Sequence, residues 1–206
     1  MEFGIIFIHG ANSSSVSFNY LKSRIQQHYK VGLVDYDSSR PITEVVPDIY
    51  RQIVNYSFNC PLFLVGHSLG GIMATLLSYW NVEDDNELNI VGNVCLSTPF
   101  AGSKAANYLR WLYPAYGLFD NVATTNPWMK LIADKGALVP TLAVITDGGD
   151  TPLITEPNDG VVGVKSQMSL KNADYVKFHL NHFEVLLSEE VGNEMNTFVT
   201  KRLSLV

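Results

Sequence analysis

Leu62-Phe63-Leu64-Val65-Gly66-His67-Ser68-Leu69-Gly70-Gly71-Ile72 decides the reading of this chain. An apolar run is followed by Gly66-His67-Ser68-Leu69-Gly70, a G-x-S-x-G pattern, and then by a helical period through Ile72, Leu76 and Tyr79. Strand, tight turn and helix in that order is the context in which this pattern carries chemistry. A serine hydroxyl that projects from a sheet edge sits in a strained turn, and glycines two before and two after it let strand and helix approach. The helix N-terminus then lies under the serine, where its dipole and free N–H groups favour developing negative charge. Ser68 is therefore the candidate nucleophile, and a packed strand-to-helix turn without chemistry is the competing reading.

No Asp, Glu, Lys or Arg occurs from Gln52 to Val82. Pro61, Gly66, His67, Ser68, Gly70 and Gly71 interrupt that stretch and no positive cluster flanks it, so it reads as a buried strand and helix and not as a membrane span. Further short apolar runs lie at Gly4 to His9, Val31 to Asp35, Ile90 to Ser97, Thr141 to Thr146 and Tyr175 to Phe178. With Leu62 to Gly66 they make six strands of the kind buried on both faces. Helical periods occupy Ser17 to His28, Val45 to Asn55 and Ser68 to Trp80, and the tail from Phe183 to Leu203 is helix-like with a break expected near Gly192. Alternating elements predict an α/β fold: an open, mostly parallel six-stranded sheet with helices on both faces and ligands beyond the carboxyl ends of the strands.

The alternation lapses from Ser103 to Lys135, where six of the 33 residues are aromatic: Tyr108, Trp111, Tyr113, Tyr116, Phe119 and Trp128. This segment reads either as a helical excursion with its own small core or as an apolar cap over the site. In the second reading Trp111, Phe119 and Trp128 are candidate substrate-binding residues. The chain of 206 residues is otherwise free of repeats and linkers and is expected to form one domain over 1–206, with 103–135 as the cap insert.

Composition narrows the function. At 47% apolar and 17% charged residues the chain is too hydrophobic for a disordered one. A net charge of −6, with no basic cluster longer than Lys201-Arg202, argues against nucleic-acid binding. Met1 to Ile8 lacks the basic region of a signal peptide, and a cytoplasmic location is expected. Cys60 and Cys95 fall at opposite ends of adjacent strands, too far apart for a disulfide, and two free thiols suit a reducing compartment.

A serine nucleophile requires a base and an orienting carboxylate, expected in the order Ser, Asp or Glu, His. His9 and His28 precede Ser68, and the turn aims His67 elsewhere. Of the remaining two, His182 follows the last strand on a loop able to reach back, and it is favoured over His179 at the strand end. The acid candidates are Asp147, Asp150, Glu156 and Asp159. Asp147 lies directly at a strand end, whereas Asp159 lies in Asn158-Asp159-Gly160, which also reads as an ordinary turn.

Phe7-Ile8-His9-Gly10, Gly66-His67-Ser68-Leu69-Gly70-Gly71, Ser97-Thr98-Pro99-Phe100-Ala101-Gly102-Ser103, Asn158-Asp159-Gly160-Val161-Val162 and Asn181-His182-Phe183 together resemble the α/β-hydrolase superfamily. Within it they are most similar to bacterial triacylglycerol lipases and related esterases. The resemblance implies Asp159 as the acid and His182 as the base, with an oxyanion hole formed by the N–H groups of Ala11 and Leu69. It assigns His9 to orienting the loop after the first strand. It also implies a sheet lacking two edge strands of the larger members. Related lipases carry an acidic calcium ligand where Glu184 stands, but no second ligand is found, so no metal and no cofactor is expected.

The expected function is carboxylic ester hydrolysis through an acyl-enzyme on a small-molecule or lipid ester, with no nucleic acid and no membrane segment. Amidase, thioesterase and acyltransferase chemistry share the same three residues. The non-enzymatic alternative is an inactive lipid- or partner-binding module.

Overall fold

The computed structural model describes residues 2–25, 29–56, 58–83, 88–102, 121 and 123–204. In chain order these form β1 (Gly4–Ile8), a 3-10 turn (Ser15–Phe18), α1 (Asn19–Ser23), β2 (Lys30–Val34), α2 (Ile42–Asn55), β3 (Leu62–His67), α3 (Leu69–Glu83) and β4 (Ile90–Leu96). They continue with α4 (Pro127–Lys135), β5 (Thr141–Thr146), α5 (Val164–Gln167), β6 (Asp174–Phe178), a second 3-10 turn (Glu184–Leu187) and α6 (Glu189–Leu203). All six expected strands form, and they pair in parallel in the order β2-β1-β3-β4-β5-β6.

Alternation along each strand divides the core between two faces. Ile6, Ile8 and Leu64 face α2 and α3 with Ile49, Ile72 and Leu76. Ile5, Phe7, Phe63 and Val65 face the opposite layer, where Leu21 of α1 and Met195 and Phe198 of α6 pack. Most of the α3 side chains from Leu69 to Tyr79 are buried, because the helix lies between the sheet and α2. That position accounts for the uncharged stretch around Ser68: a helix enclosed on all sides has no solvated face to carry charge. No helix among the described residues is long and apolar enough to cross a membrane.

Register sets the position of the site. Ile8 lies opposite Gly66, Gly66 opposite Cys95, and Leu96 opposite Val144, so β1, β3, β4 and β5 end at one level. The residues that follow those ends, Gly10-Ala11, Ser68, Ser97-Thr98 and Thr146-Asp147, share a single edge. The chain runs outward from β1 to β2 and returns on the other side of β1 as β3, which makes this edge a topological switch point.

Two expectations need correction. The helix expected from Ser17 to His28 is a 3-10 turn followed by a short α1 that ends at Ser23, and His28 lies outside the described residues. Gly192 does not break the tail; it lies inside α6, where the helix passes so close to α1 that a Cβ would stand 3.3 Å from Arg24 Cβ. The break falls at Ser188, which is extended and whose side chain accepts from Val191 N at 3.2 Å to cap α6. In the aromatic segment α4 supplies the described end, whereas Tyr108, Trp111, Tyr113, Tyr116 and Phe119 lie outside the described residues. Cys60 and Cys95 are both free thiols, and burial pushes that of Cys95 up to about 12.

Candidate active site

Ser68 occupies the left-handed region at φ +52, a conformation that costs a non-glycine residue roughly 1 to 2 kcal/mol. Its backbone is held at both ends: Ser68 N donates to Leu96 O at 2.8 Å, and Ser68 O accepts from Gly71 N at 3.0 Å. A Cβ at Gly66 would overlap the Gly70 carbonyl, and one at Gly70 would overlap the Ile8 carbonyl oxygen. Only glycine fits either position, so the spacing in G-x-S-x-G is a steric consequence of crossing β1, β3 and α3 at one point. Ser68 is half-buried, and its hydroxyl has no hydrogen-bond partner among the described residues.

His182 and Asp159 are both buried, and His182 Nδ1 lies 2.7 Å from Asp159 Oδ2. Asp159 Oδ1 accepts from the Val161 and Val162 N–H groups at 2.9 and 2.7 Å, and Oδ2 also accepts from Thr146 Oγ1 at 2.9 Å and Gln167 Nε2 at 3.3 Å. Burial is the largest influence on this carboxyl and acts against its ionisation. The bonds from His182, Val162 and Val161, with the His182 charge, together outweigh it and hold the group below the usual carboxylate range. An ionised Asp159 only accepts, so His182 carries a proton on Nδ1, and Nε2 is the ring nitrogen left free of this pair. Backbone bonds fix the pair as well: His182 N donates to Asp159 O at 2.9 Å, and Gly149 N donates to Asn158 O at 3.0 Å.

Two further histidines are fittings of the site. His67, buried beside His182 with ring centroids 4.8 Å apart, has Nε2 2.8 Å from the His182 carbonyl oxygen and donates to it. Burial, with the His182 ring as a second cause, lowers its pKa to about 3. His9 donates from Nδ1 to Gly10 O at 2.7 Å and accepts at Nε2 from Tyr36 N at 3.2 Å, while its ring stacks on Tyr36 at 4.3 Å. Both of its nitrogens are engaged, and the loop that carries Ala11 is tied to the end of β2.

The two acid–base pairs left open in the sequence sort themselves in space. Asp147 pairs with His179 at 3.0 Å and with Lys177 at 3.0 Å on the surface, where the His179 side chain is 86% exposed. Asp159 pairs with His182 in the interior. Ala11 and Leu69 follow the ends of β1 and β3 beside Ser68, and their N–H groups have no hydrogen-bond partner among the described residues. Glu184 accepts from Asn181 N at 2.8 Å and so braces the His182 loop. Trp128 lines a hollow of about 80 Å³ with Ile42, Val46, Leu76 and Trp80. A larger cleft of about 330 Å³ is lined by Gly102, Thr124, Leu153, Ile154, Glu156 and Ser166.

Thr146 and Gln167 were not singled out from sequence, and Ser97 stood there only inside a longer motif with no role of its own, yet all three are fully enclosed behind Asp159. The available signal was weak. Thr146 shares the face of Leu142 and Val144 in β5, and a hydroxyl in such a run needs a buried partner. Gln167 lies in the four-residue α5, too short to show a period.

A parallel sheet whose third strand runs into a left-handed serine framed by glycines, with a buried imidazole–carboxylate pair on the same edge, is the architecture of an α/β hydrolase. The sequence model of the alpha/beta hydrolase family matches residues 5–164, and the chain belongs to that family. Among solved structures it is similar to the metagenomic carboxyl esterase MGS0156, with a TM-score of 0.75 and 13% identity over 99% of this chain and 76% of that one. The Bacillus licheniformis lipase BlEst2 superposes with a TM-score of 0.72 and 18% identity over 97% and 91% of the two chains. Human thioesterase 2 superposes with a TM-score of 0.64 and 12% identity over 98% and 96%. No curated protein matches the chain in sequence.

Proposed function

We propose that this chain is a serine hydrolase that cleaves carboxylic esters through an acyl-enzyme. The observation that carries the reading is the buried 2.7 Å contact between His182 Nδ1 and Asp159 Oδ2, which leaves Nε2 as the basic atom on the edge where Ser68 emerges. In this reading His182 Nε2 takes the Ser68 proton as the hydroxyl attacks the ester carbonyl, then returns it to the leaving alcohol. Asp159 holds the tautomer and stabilises the imidazolium. The N–H groups of Ala11 and Leu69 bind the oxyanion, and losing one such donor costs roughly 3 to 4 kcal/mol. A water then repeats the sequence against the acyl-enzyme. The chain acts as one domain, with 103–135 as an insert whose apolar side chains, Trp111, Phe119 and Trp128 among them, help bury the acyl group of a small-molecule or lipid ester.

Thioester cleavage is the second reading, supported by the likeness to human thioesterase 2, and it uses the same three residues. A fluorophosphonate probe followed by peptide mass spectrometry tests the common mechanism: labelling is expected on Ser68 and lost in Ser68→Ala. Labelling elsewhere, or none, overturns it. Rates on nitrophenyl esters and on acyl-thioesters of matched chain length then decide between the two substrates.

A further inference from the structure

The hydrogen bonds behind Asp159 have a direction. Ser97 Oγ and Thr146 Oγ1 lie 2.7 Å apart, and Thr146 Oγ1 lies 2.9 Å from Asp159 Oδ2. Each hydroxyl has one proton to give. The carboxylate is ionised and has none, so the Thr146 proton goes to Oδ2. Thr146 Oγ1 is then free to accept, and Ser97, whose hydroxyl has no other hydrogen-bond partner among the described residues, donates to it. The order Ser97 to Thr146 to Asp159 follows, and it meets the bond from His182 at the same oxygen.

The scaffold fixes both hydroxyls in place. Thr146 N donates to Gln167 Oε1 at 2.8 Å and Gln167 Nε2 donates to Thr146 O at 2.9 Å, so one amide clamps the Thr146 backbone from both sides. Among the described residues Thr146 Oγ1 also meets Gln167 Oε1 as an acceptor, at a longer 3.4 Å. Ser97 is held at φ +50, a left-handed conformation rare for a residue with a side chain, while its N–H donates to Val144 O at 3.0 Å. That backbone brings a β4 hydroxyl onto the end of β5. None of the three side chains is exposed to solvent, and an enclosed hydroxyl in a low-dielectric setting acts strongly on the charge it faces.

We propose that Ser97 and Thr146 form a directed hydroxyl relay into Asp159 Oδ2, with Thr146 a positioning residue that sets the geometry and charge of the His182–Asp159 pair. The relay leaves the carboxylate aimed at Nδ1 by donors on three sides, so the imidazole is held for its exchange with Ser68. The role assigned to His182 rests on the hydrolase reading above, whereas the relay itself rests on the hydrogen bonds.

The test is a set of three variants read in two ways. Thr146→Val keeps the shape and removes the hydroxyl, Thr146→Ser keeps the hydroxyl, and Ser97→Ala removes the first donor. The first readout is the far-downfield proton resonance of His182 Nδ1–H, assigned by its loss in His182→Ala. The second is nitrophenyl acetate hydrolysis with kcat and KM separated. Thr146→Val is expected to move the resonance and to lower kcat about tenfold with KM unchanged, the scale of one lost bond to a charged group. Thr146→Ser is expected to restore both, and Ser97→Ala to move the resonance in the same direction by less. An unmoved resonance in folded Thr146→Val overturns the relay, as does a Thr146→Ser variant no better than Thr146→Val, since the methyl contact would then be the cause. If Thr146→Val does not fold, Ser97→Ala decides by the same resonance. Should wild type neither hydrolyse the ester nor take the fluorophosphonate, the hydrolase reading fails while the resonance still judges the relay.

Discussion

His67 donates from Nε2 to the carbonyl oxygen of His182 at 2.8 Å, so the residue that precedes Ser68 grips the loop that carries the imidazole. This bond needs a proton on Nε2, and burial keeps the ring otherwise neutral by lowering the pKa to about 3.

A pH dependence of stability follows. In the unfolded chain His67 binds a proton below about pH 6.5, while in the fold it does not until near pH 3. Between those values the unfolded state holds more protons, so stability falls as pH falls through that window, by up to about 1.4 kcal/mol per unit at its steepest. Urea unfolding from pH 7 to 4 should show this slope in wild type and a shallower one in His67→Gln. Equal slopes in the two proteins would remove His67 as the cause.

The strain at Ser68 predicts opposed effects on stability and activity. Ser68→Gly should raise the unfolding free energy by about 1 kcal/mol, because glycine adopts φ +52 without the Cβ clash, while ester turnover falls to background. Denaturant midpoints at pH 7 check the first part, and a lower midpoint than wild type refutes it.

The surface and interior carboxylates should separate cleanly. Asp159→Asn is expected to lower kcat by about 10⁴-fold, since an amide disfavours the tautomer with Nδ1–H and cannot stabilise imidazolium. Asp147→Asn, which disturbs only the exposed contacts with His179 and Lys177, should leave kcat near wild type. Reversed effects would move the acid to the end of β5.

Acyl preference tests the insert. KM on nitrophenyl esters should fall as the chain lengthens, at ~0.8 kcal/mol per buried CH₂ until the site is full. Trp111→Ala or Phe119→Ala should flatten that trend if the insert forms the wall. Trp128→Ala should act mainly on stability if the hollow it lines with Val46 and Leu76 is its only role. Unchanged profiles in all three folded variants would move the acyl site toward the cleft at Leu153 and Ile154.

Strands and the serine turn were legible in the sequence because their causes are local. β-branched runs mark strands covered on both faces, and Gly66 and Gly70 mark a crossing where no Cβ fits. The Asn181-His182-Phe183 loop was legible for a related reason, since it follows a strand. The residues alone left Asp147 and Asp159 open and only the resemblance favoured Asp159, because each is a plausible neighbour of a strand end and each has found a histidine. What separates them is depth, a property of the assembled sheet. Thr146, Gln167 and Ser97 were hidden for the same reason: their bonds join β4, β5 and α5, and no one segment shows the partner of another. The end of the first helix and the role of Gly192 were misread where tertiary packing overrode the local pattern, with α6 pressed against α1.

Four strand ends meeting at one level have a kinetic consequence. The bond between His67 and His182 spans 115 positions, and the site closes only when β1, β3, β4, β5 and the His182 loop are all in place. Bringing such distant segments together is the slow part of folding for a parallel topology. In a refolding experiment, far-UV circular dichroism should therefore recover before fluorophosphonate reactivity. A partly folded chain would then carry helix before Ser68, His182 and Asp159 share one edge.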